Sequence, residues 1–356
     1  MQLEFNLTYF IIFSLTSLLA TFILAKYSKY FFSGYLVDKD FLKPQAFHKE
    51  PTARIGGLVI LFLFLLFVLF YFLISGVFLK DYFVVTLALF FLGFLDDLRI
   101  KINPSIRLSL MLIILLFCID IFSIQISRSG LEFLDYWLEN NIFQIFFVLL
   151  CFLFVINGAN LVDGFNGLLS IHFLLISTIF LLINLINQNE NISIILFSQI
   201  IIVLSFLLFN FPKAKIFLGD SGSYLLGSLI VLNTIKTYEL NSSLSPFFFA
   251  VVLFYLFYEV FFSFIRKITL QISPLKPDGR HLHMLLYRWL KNSKRIKRPN
   301  YLTSVLINLA YFSSQIPLFY FYNNGLVLRY CFFILIGLYT VIYFRLYSLS
   351  KKQINI

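Results

Sequence analysis

Eleven runs of about twenty mostly apolar residues follow one another along this 356-residue chain. They lie near residues 7–31, 56–78, 81–97, 105–126, 142–157, 167–187, 192–210, 219–236, 246–266, 301–322 and 326–344. At a rise of about 1.5 Å per residue, runs of that length cross the hydrocarbon of a bilayer as helices. Only 13% of residues are charged against 60% hydrophobic, about half the charge of an ordinary soluble domain. The expected fold is therefore all-α: a polytopic integral membrane protein with about 11 transmembrane helices in a single domain over residues 1–356. The first run, Leu7 to Ala25, follows MQLEFN, which holds Glu4 and no basic residue. It reads as a retained span rather than a cleaved signal. Cys118, Cys151 and Cys331 all sit inside apolar runs without CxxC spacing, as small packing residues do.

Lys and Arg set the orientation, because cytoplasmic loops hold their excess. With the N-terminus outside and the C-terminus cytoplasmic, 24 of the 28 basic residues fall inside, leaving Lys80, Arg128, Lys236 and Arg329 outside. The net charge of +11 needs no nucleic acid, since an anionic leaflet and anionic substrates suffice.

On this map five polar islands share the cytoplasmic face: FHKEPTARIGG (47–57), GFLDDLRIK (93–101), NGANLVDGFNG (157–167), KAKIFLGDSGS (213–223) and KPDGRHLHMLLYR (276–288). The corresponding loops run near 32–55, 96–104, 157–167, 211–220 and 267–300. An unpartnered amide or carboxylate in hydrocarbon costs several kcal/mol, so five islands on one face read as one site.

Asp96 and Asp97 end an apolar run, where the helix dipole disfavours negative charge; the bland alternative is a solvated helix terminus. Asp220 could simply N-cap the eighth span. Asn157, Asn160 and Asp163 are spaced at helical neighbours, whereas Gly164 lets the chain turn and places Asn166 at the start of the next helix. Four carboxylates at one membrane edge repel unless a hard cation sits among them, and Mg²⁺ keeps waters and takes phosphate oxygens. Lys49, Arg54, Arg280 and the histidines suit a diphosphate, and Lys101 joins them as a basic residue of the second island. His281 and His283 would share a face only in an extended segment. His172 lies in an apolar run and reads as structural.

Together these stretches resemble the polyprenyl-phosphate N-acetylhexosamine-1-phosphate transferases, a glycosyltransferase family 4 type of membrane enzyme. HKEPTARIGG is similar to that family's first cytoplasmic motif, the DD after GFL to its acidic pair, NGANLVDGFNGL to its Asn/Asp motif, KIFLGDSGSYLLG to its metal motif and DGRHLHMLL to its histidine loop. The resemblance implies transfer of N-acetylhexosamine 1-phosphate from a UDP-N-acetylhexosamine to polyprenyl (undecaprenyl) phosphate, releasing UMP, with Mg²⁺ or else Mn²⁺. Such a step begins cell-wall and surface-polysaccharide assembly, O-antigen of lipopolysaccharide included. By position it implies catalytic roles for Asp96, Asp97, Asp163, His281 and His283, and Asp220 as metal ligand. His48, Lys49, Arg54, Lys101, Asn157, Asn160, Asn166 and Arg280 fall to substrate binding. Asn166 stands where muramoyl-pentapeptide transferases usually carry Asp, and His281-Leu282-His283-Met284 replaces their run of histidines; both favour the simple-sugar branch, with the muramoyl-pentapeptide branch as the alternative. A transporter is the rival from another class, but transporters place charges near the midplane and often show related halves. The oligomeric state stays open, a homodimer among the options.

Overall fold

The computed structural model describes residues 7–30, 34–39, 50–100, 102–276, 278–293 and 296–352. His48, Lys49 and Lys101 lie outside the described residues. In chain order the elements are α1 (Leu7–Lys26), the short strands β1 (Val37–Asp38) and β2 (Thr52–Ala53), α2 (Gly56–Ser75), α3 (Lys80–Asp97), α4 (Pro104–Ile121), α5 (Glu132–Leu138) and α6 (Asn141–Val162). There follow α7 (Leu168–Ile186), α8 (Glu190–Asn210), α9 (Gly219–Leu240), α10 (Pro246–Val252), α11 (Phe254–Thr269), α12 (Leu282–Asn292), α13 (Pro299–Ser314), α14 (Ile316–Phe321) and α15 (Gly325–Lys352).

The protein is a multi-pass helical bundle. Among the described residues eight helical stretches are long and apolar enough to cross a membrane, or nine when the bent pair α10 and α11 counts as one span. Each of the eleven apolar runs coincides with a helix or a helix pair. The two runs outside that nine are α3 and α9, which carry charge in their end turns (Lys80, Asp81, Asp96 and Asp97; Asp220 and Glu239). They pack against each other at the centre, and almost all of α9 is buried. A span surrounded by other helices need not be apolar all round. Its polar groups are paired instead: Tyr82 of α3 donates to Asn233 of α9 at 2.8 Å, and Asn233 donates to Gln199 of α8 at 2.7 Å. Around this centre α1 and α15 present exposed Leu, Ile and Phe, the surface lipid would cover.

Local chemistry explains the ends. Pro104 opens α4 with Asn103 accepting from the Ser105 amide, and Asn140 caps α6 through the amides of Ile142 and Phe143. These are favoured N-terminal arrangements. The fifth run, expected to end near 157, continues as helix to Val162, because the amide of Asn160 finds partners on α9 and does not need to break the ladder. The ninth run bends by 72° between α10 and α11, with neither Pro nor Gly at the break. There the carbonyl of Val252 accepts from the Tyr311 hydroxyl at 2.8 Å, and such a side chain inserted into the helical ladder is a recognised cause of a kink.

At one end of the bundle β1 and β2 form an antiparallel pair, and the chain before α9 adds to it. Phe217 donates its N–H to the Ala53 carbonyl, while Gly56 and Gly57 donate to Phe217 and Leu218, all at 2.8 Å. Backbones come very close here: a Cβ on Gly57 would lie 2.4 Å from the Gly222 nitrogen, and one on Gly93 would lie 2.5 Å from the Asp220 carbonyl oxygen.

Candidate active site

The start of α9 is the hub. Asp97, at the last position of α3, turns its carboxylate onto it: Oδ1 accepts from the Asp220 amide at 3.0 Å, and Oδ2 accepts from the Ser221 amide at 2.9 Å and the Ser221 hydroxyl at 2.6 Å. Helix N-termini offer unpaired N–H groups and positive potential. The unfavourable position of an acid at a helix C-terminus is thus resolved by the N-terminus of a neighbouring helix. Asp220 does not cap its own helix; the N-cap residue is Leu218, without a side-chain bond. Gly219, with φ of +80°, leaves room for the clasp, since a Cβ there would stand 2.6 Å from Asp97 Oδ2.

The other candidate residues gather around Asp220. Asn160 of α6 donates to Asp220 Oδ1 at 3.2 Å and to Ser223 Oγ at 2.9 Å. Arg107 of α4 pairs with Asp96 and lies 3.7 Å from Asp220 Oδ2. Arg54 binds Asp38 through Nε at 3.0 Å and Nη2 at 2.6 Å, with Nη1 3.8 Å from Asp97. Burial alone would lower the Arg54 pKa, but the charges of Asp220, Asp38 and Asp97 raise it above its ordinary value. Asp163, in the turn after α6, is less well compensated: burial first, and then the charge of Asp220, push its carboxyl up to about 8 against the opposing pull of Arg54. Crowded carboxylates behave so when no cation separates them.

The histidine loop closes a second side. His281 is the extended N-cap of α12 (φ −77°, ψ 153°) and His283 lies in its first turn. That junction stacks the two rings, with centroids 5.7 Å apart and planes 6° from parallel. His283 is fully buried and faces Gly164 and Phe165 next to Asp163. Its Nδ1 lies 3.4 Å from the Tyr255 hydroxyl, its Nε2 has no hydrogen-bond partner, and burial lowers its pKa to about 3.

Three candidates stand apart from the acidic cluster. Asn157 donates to the Leu153 carbonyl and approaches Met111 of α4. Asn166 joins loops: its amide side chain donates to the Pro212 carbonyl at 3.1 Å, and its N–H donates to Asn300 Oδ1 at 3.2 Å. Arg280 is exposed, and its carbonyl accepts from Arg266 and Tyr343. Residues unmarked in the sequence reading also enter: Asp38, Arg107, Ser221, Ser223 and Glu259. Glu259 carried a signal, as the one acid within the ninth apolar run, and an intramembrane charge is a functional candidate by default.

No group of three His, Cys, Asp or Glu among the described residues could hold a metal ion unaided. Asp163 and Asp220 nonetheless offer hard oxygen donors in excess of local positive charge, a set that fits Mg²⁺ completing its shell with water and phosphate oxygens.

A polytopic membrane protein with carboxylates and arginines interleaved at its helix ends is the class that fold and site define. The model of glycosyl transferase family 4 matches residues 80–238, the segment holding Asp96, Asp97, Asn160, Asp163 and Asp220. The chain is similar to an undecaprenyl-phosphate alpha-N-acetylglucosaminyl 1-phosphate transferase of Thermotoga maritima, 30% identical over 217 residues, 59% of this chain and 62% of that protein. It is also similar to phospho-N-acetylmuramoyl-pentapeptide-transferases of Streptococcus pneumoniae (32% over 215 residues, 57% of this chain and 64% of the relative) and Streptococcus gordonii (31% over 223 residues, 60% and 68%). The chain belongs to glycosyl transferase family 4. It spans just under two thirds of the length of the Thermotoga and pneumococcal relatives.

Proposed function

We propose that this chain transfers N-acetylhexosamine 1-phosphate from a UDP-N-acetylhexosamine to undecaprenyl phosphate. A lipid phosphate oxygen bonds to the sugar-bearing phosphorus as the P–O bond to UMP breaks, giving undecaprenyl-diphospho-sugar. The observation that carries the reading is the convergence of Asp97, Asn160, Asp163 and Arg107 on the first turn of α9 around Asp220. Such a reaction needs positioning and neutralisation of charge more than covalent help, and a lipid headgroup can be met only at helix ends.

Asp97 holds the α9 terminus and thereby Asp220. Asp96, the more exposed of the pair, orients or deprotonates the lipid phosphate. Arg54 and Arg107 bind phosphate oxygens, and the turn from Asn160 to Gly167 with His283 receives the nucleotide sugar. Asp220 and Asp163 would hold Mg²⁺, which when bound supplies charge neutralisation at the diphosphate. The excess of Lys and Arg at this end of the bundle supports a site facing the cytoplasm in the inner membrane.

The simple-sugar branch rests on Asn166, where the muramoyl branch usually carries an acid, and on His281-Leu282-His283, which breaks that branch's run of consecutive histidines. Purified membranes given undecaprenyl phosphate and a panel of UDP-sugars should release UMP with an N-acetylhexosamine donor and form no product with the muramoyl-pentapeptide donor. Asp220→Asn should abolish that release in a folded protein, and full turnover by this variant would overturn the assignment.

A further inference from the structure

Glu259 is buried to 1% exposure on α11, and three donors converge on it. Its Oε1 accepts from His281 Nδ1 at 3.1 Å and from the Leu282 amide at 3.2 Å, and its Oε2 accepts from the Tyr339 hydroxyl of α15 at 2.7 Å. Two turns further along α11, Arg266 holds Asp278 at 2.9 Å and donates to both the Arg280 carbonyl and Tyr343 of α15 at 3.1 Å. Asp278 in turn lies 3.3 Å from the other ring nitrogen of His281. The segment 278–282 is thus clamped by an acid and a base seven residues apart on one face of α11. A buried carboxylate is stable only when paired and hydrogen-bonded, and this one uses Oε1 on the histidine loop and Oε2 on α15.

We infer that Glu259 is a positioning residue for the site: it fixes the ring of His281 with a proton on Nδ1 and its other nitrogen toward Asp278, and so sets the plane on which His283 stacks. Carboxylate oxygens accept and do not donate, so the ring nitrogen that Glu259 holds is the donor. The His pair then divides its work. His281 is the fixed ring that anchors the loop, and His283, with an unpaired Nε2, is the ring that meets ligand. The kinetic part of this inference rests on the transferase reading above; the spectroscopic part does not.

The chain has four histidines, so ¹⁵N-histidine labelling of the full-length protein resolves every ring. A ring whose proton sits on Nδ1 should be seen, and that signal should vanish in His281→Gln. A His281 ring without a proton on Nδ1 overturns the inference whether or not the protein proves to be a transferase, and requires no Glu259 variant to fold. In the activity assay Glu259→Gln, which offers an amide N–H where a lone pair is needed, should lower kcat by about 10- to 100-fold, as loss of an orienting partner of a site histidine does. KM for the nucleotide sugar should stay within about threefold. Combined with His281→Gln it should bring no further loss, because residues acting as one unit are non-additive. Additive losses, or a wild-type kcat in Glu259→Gln, would show that Glu259 serves packing alone.

Discussion

Adjacent aspartates do different work here because one residue of helix turns a side chain by roughly 100°. Asp97 points at the α9 terminus, with both oxygens occupied, and Asp96 points at Arg107. Asp97→Asn should therefore lower stability by about 1 to 3 kcal/mol, the effect of leaving a buried donor without its acceptor, together with activity. Asp96→Asn should leave the melting temperature nearly unchanged while depressing kcat by about 10² to 10⁴, the range of a lost general base. A thermal melt beside the turnover assay separates the two, and equal melting losses would refute the division. His283 makes a second residue-scale prediction. Its folded pKa is lowered to about 3, so on acidification the unfolded chain takes up a proton near pH 6.5 that the folded chain refuses. Stability is intact above pH 6.5 and falls as pH drops toward 3, by about 1.4 kcal/mol per unit at most. His283→Gln should show a shallower loss of melting temperature between pH 7 and pH 5 than the wild type; parallel slopes would place the acid sensitivity elsewhere.

Among elements, the α3–α9 contact decides whether the site exists, and it depends on missing side chains. Gly93→Ala must push the Asp220 backbone away, so it should lower both stability and kcat. Gly337→Ala on α15, where a Cβ meets nothing within 4 Å, should be neutral or slightly stabilising from helix propensity. Similar effects from the two would dissociate the close approach from function. The turn after α6 carries another prediction. Asn166 ties it to Pro212, so Asn166→Ala should weaken UMP binding in calorimetric titration by about 1 to 3 kcal/mol; unchanged affinity would leave Asn166 a loop tie only. The helices themselves were legible in the sequence, because each polar island marks a span end and hydrocarbon punishes unpaired polar groups. The bend after Val252 was not, since it arises from a Tyr311 hydroxyl more than fifty residues away. Likewise the spacing in NGANLVDG marked Asn157 and Asn160 alike, but only the packing of α6 between α4 and α9 decides that Asn160 reaches Asp220 while Asn157 meets Met111 of α4.

At the scale of the whole molecule, the up-and-down path of the chain brings the described residues of all five islands to one end. Amide and hydroxyl pairs such as Asn187 with Asn241 and Ser127 with Tyr238 occupy the other. Cysteine placed at Lys213 should resist a membrane-impermeant maleimide in intact cells and react after permeabilisation, and cysteine at Ser242 should react at once; the reverse pattern would invert the proposed orientation. Charge placement made this plan readable without coordinates, whereas Asp38 as the partner of Arg54 was not, being a contact across a two-residue strand pair too short to show a periodic pattern. The seam between the first loop and the start of α9 has one more consequence. Ala53, Gly56, Gly57, Phe217 and Leu218 are joined there through main-chain atoms, and a main-chain bond is indifferent to most changes of side chain. The distance from Arg54 to Asp220 is therefore inherited through the peptide backbone, and the surrounding side chains, apart from the two glycines whose Cβ would collide with the facing chain, are free to drift over generations without the two charges losing their alignment.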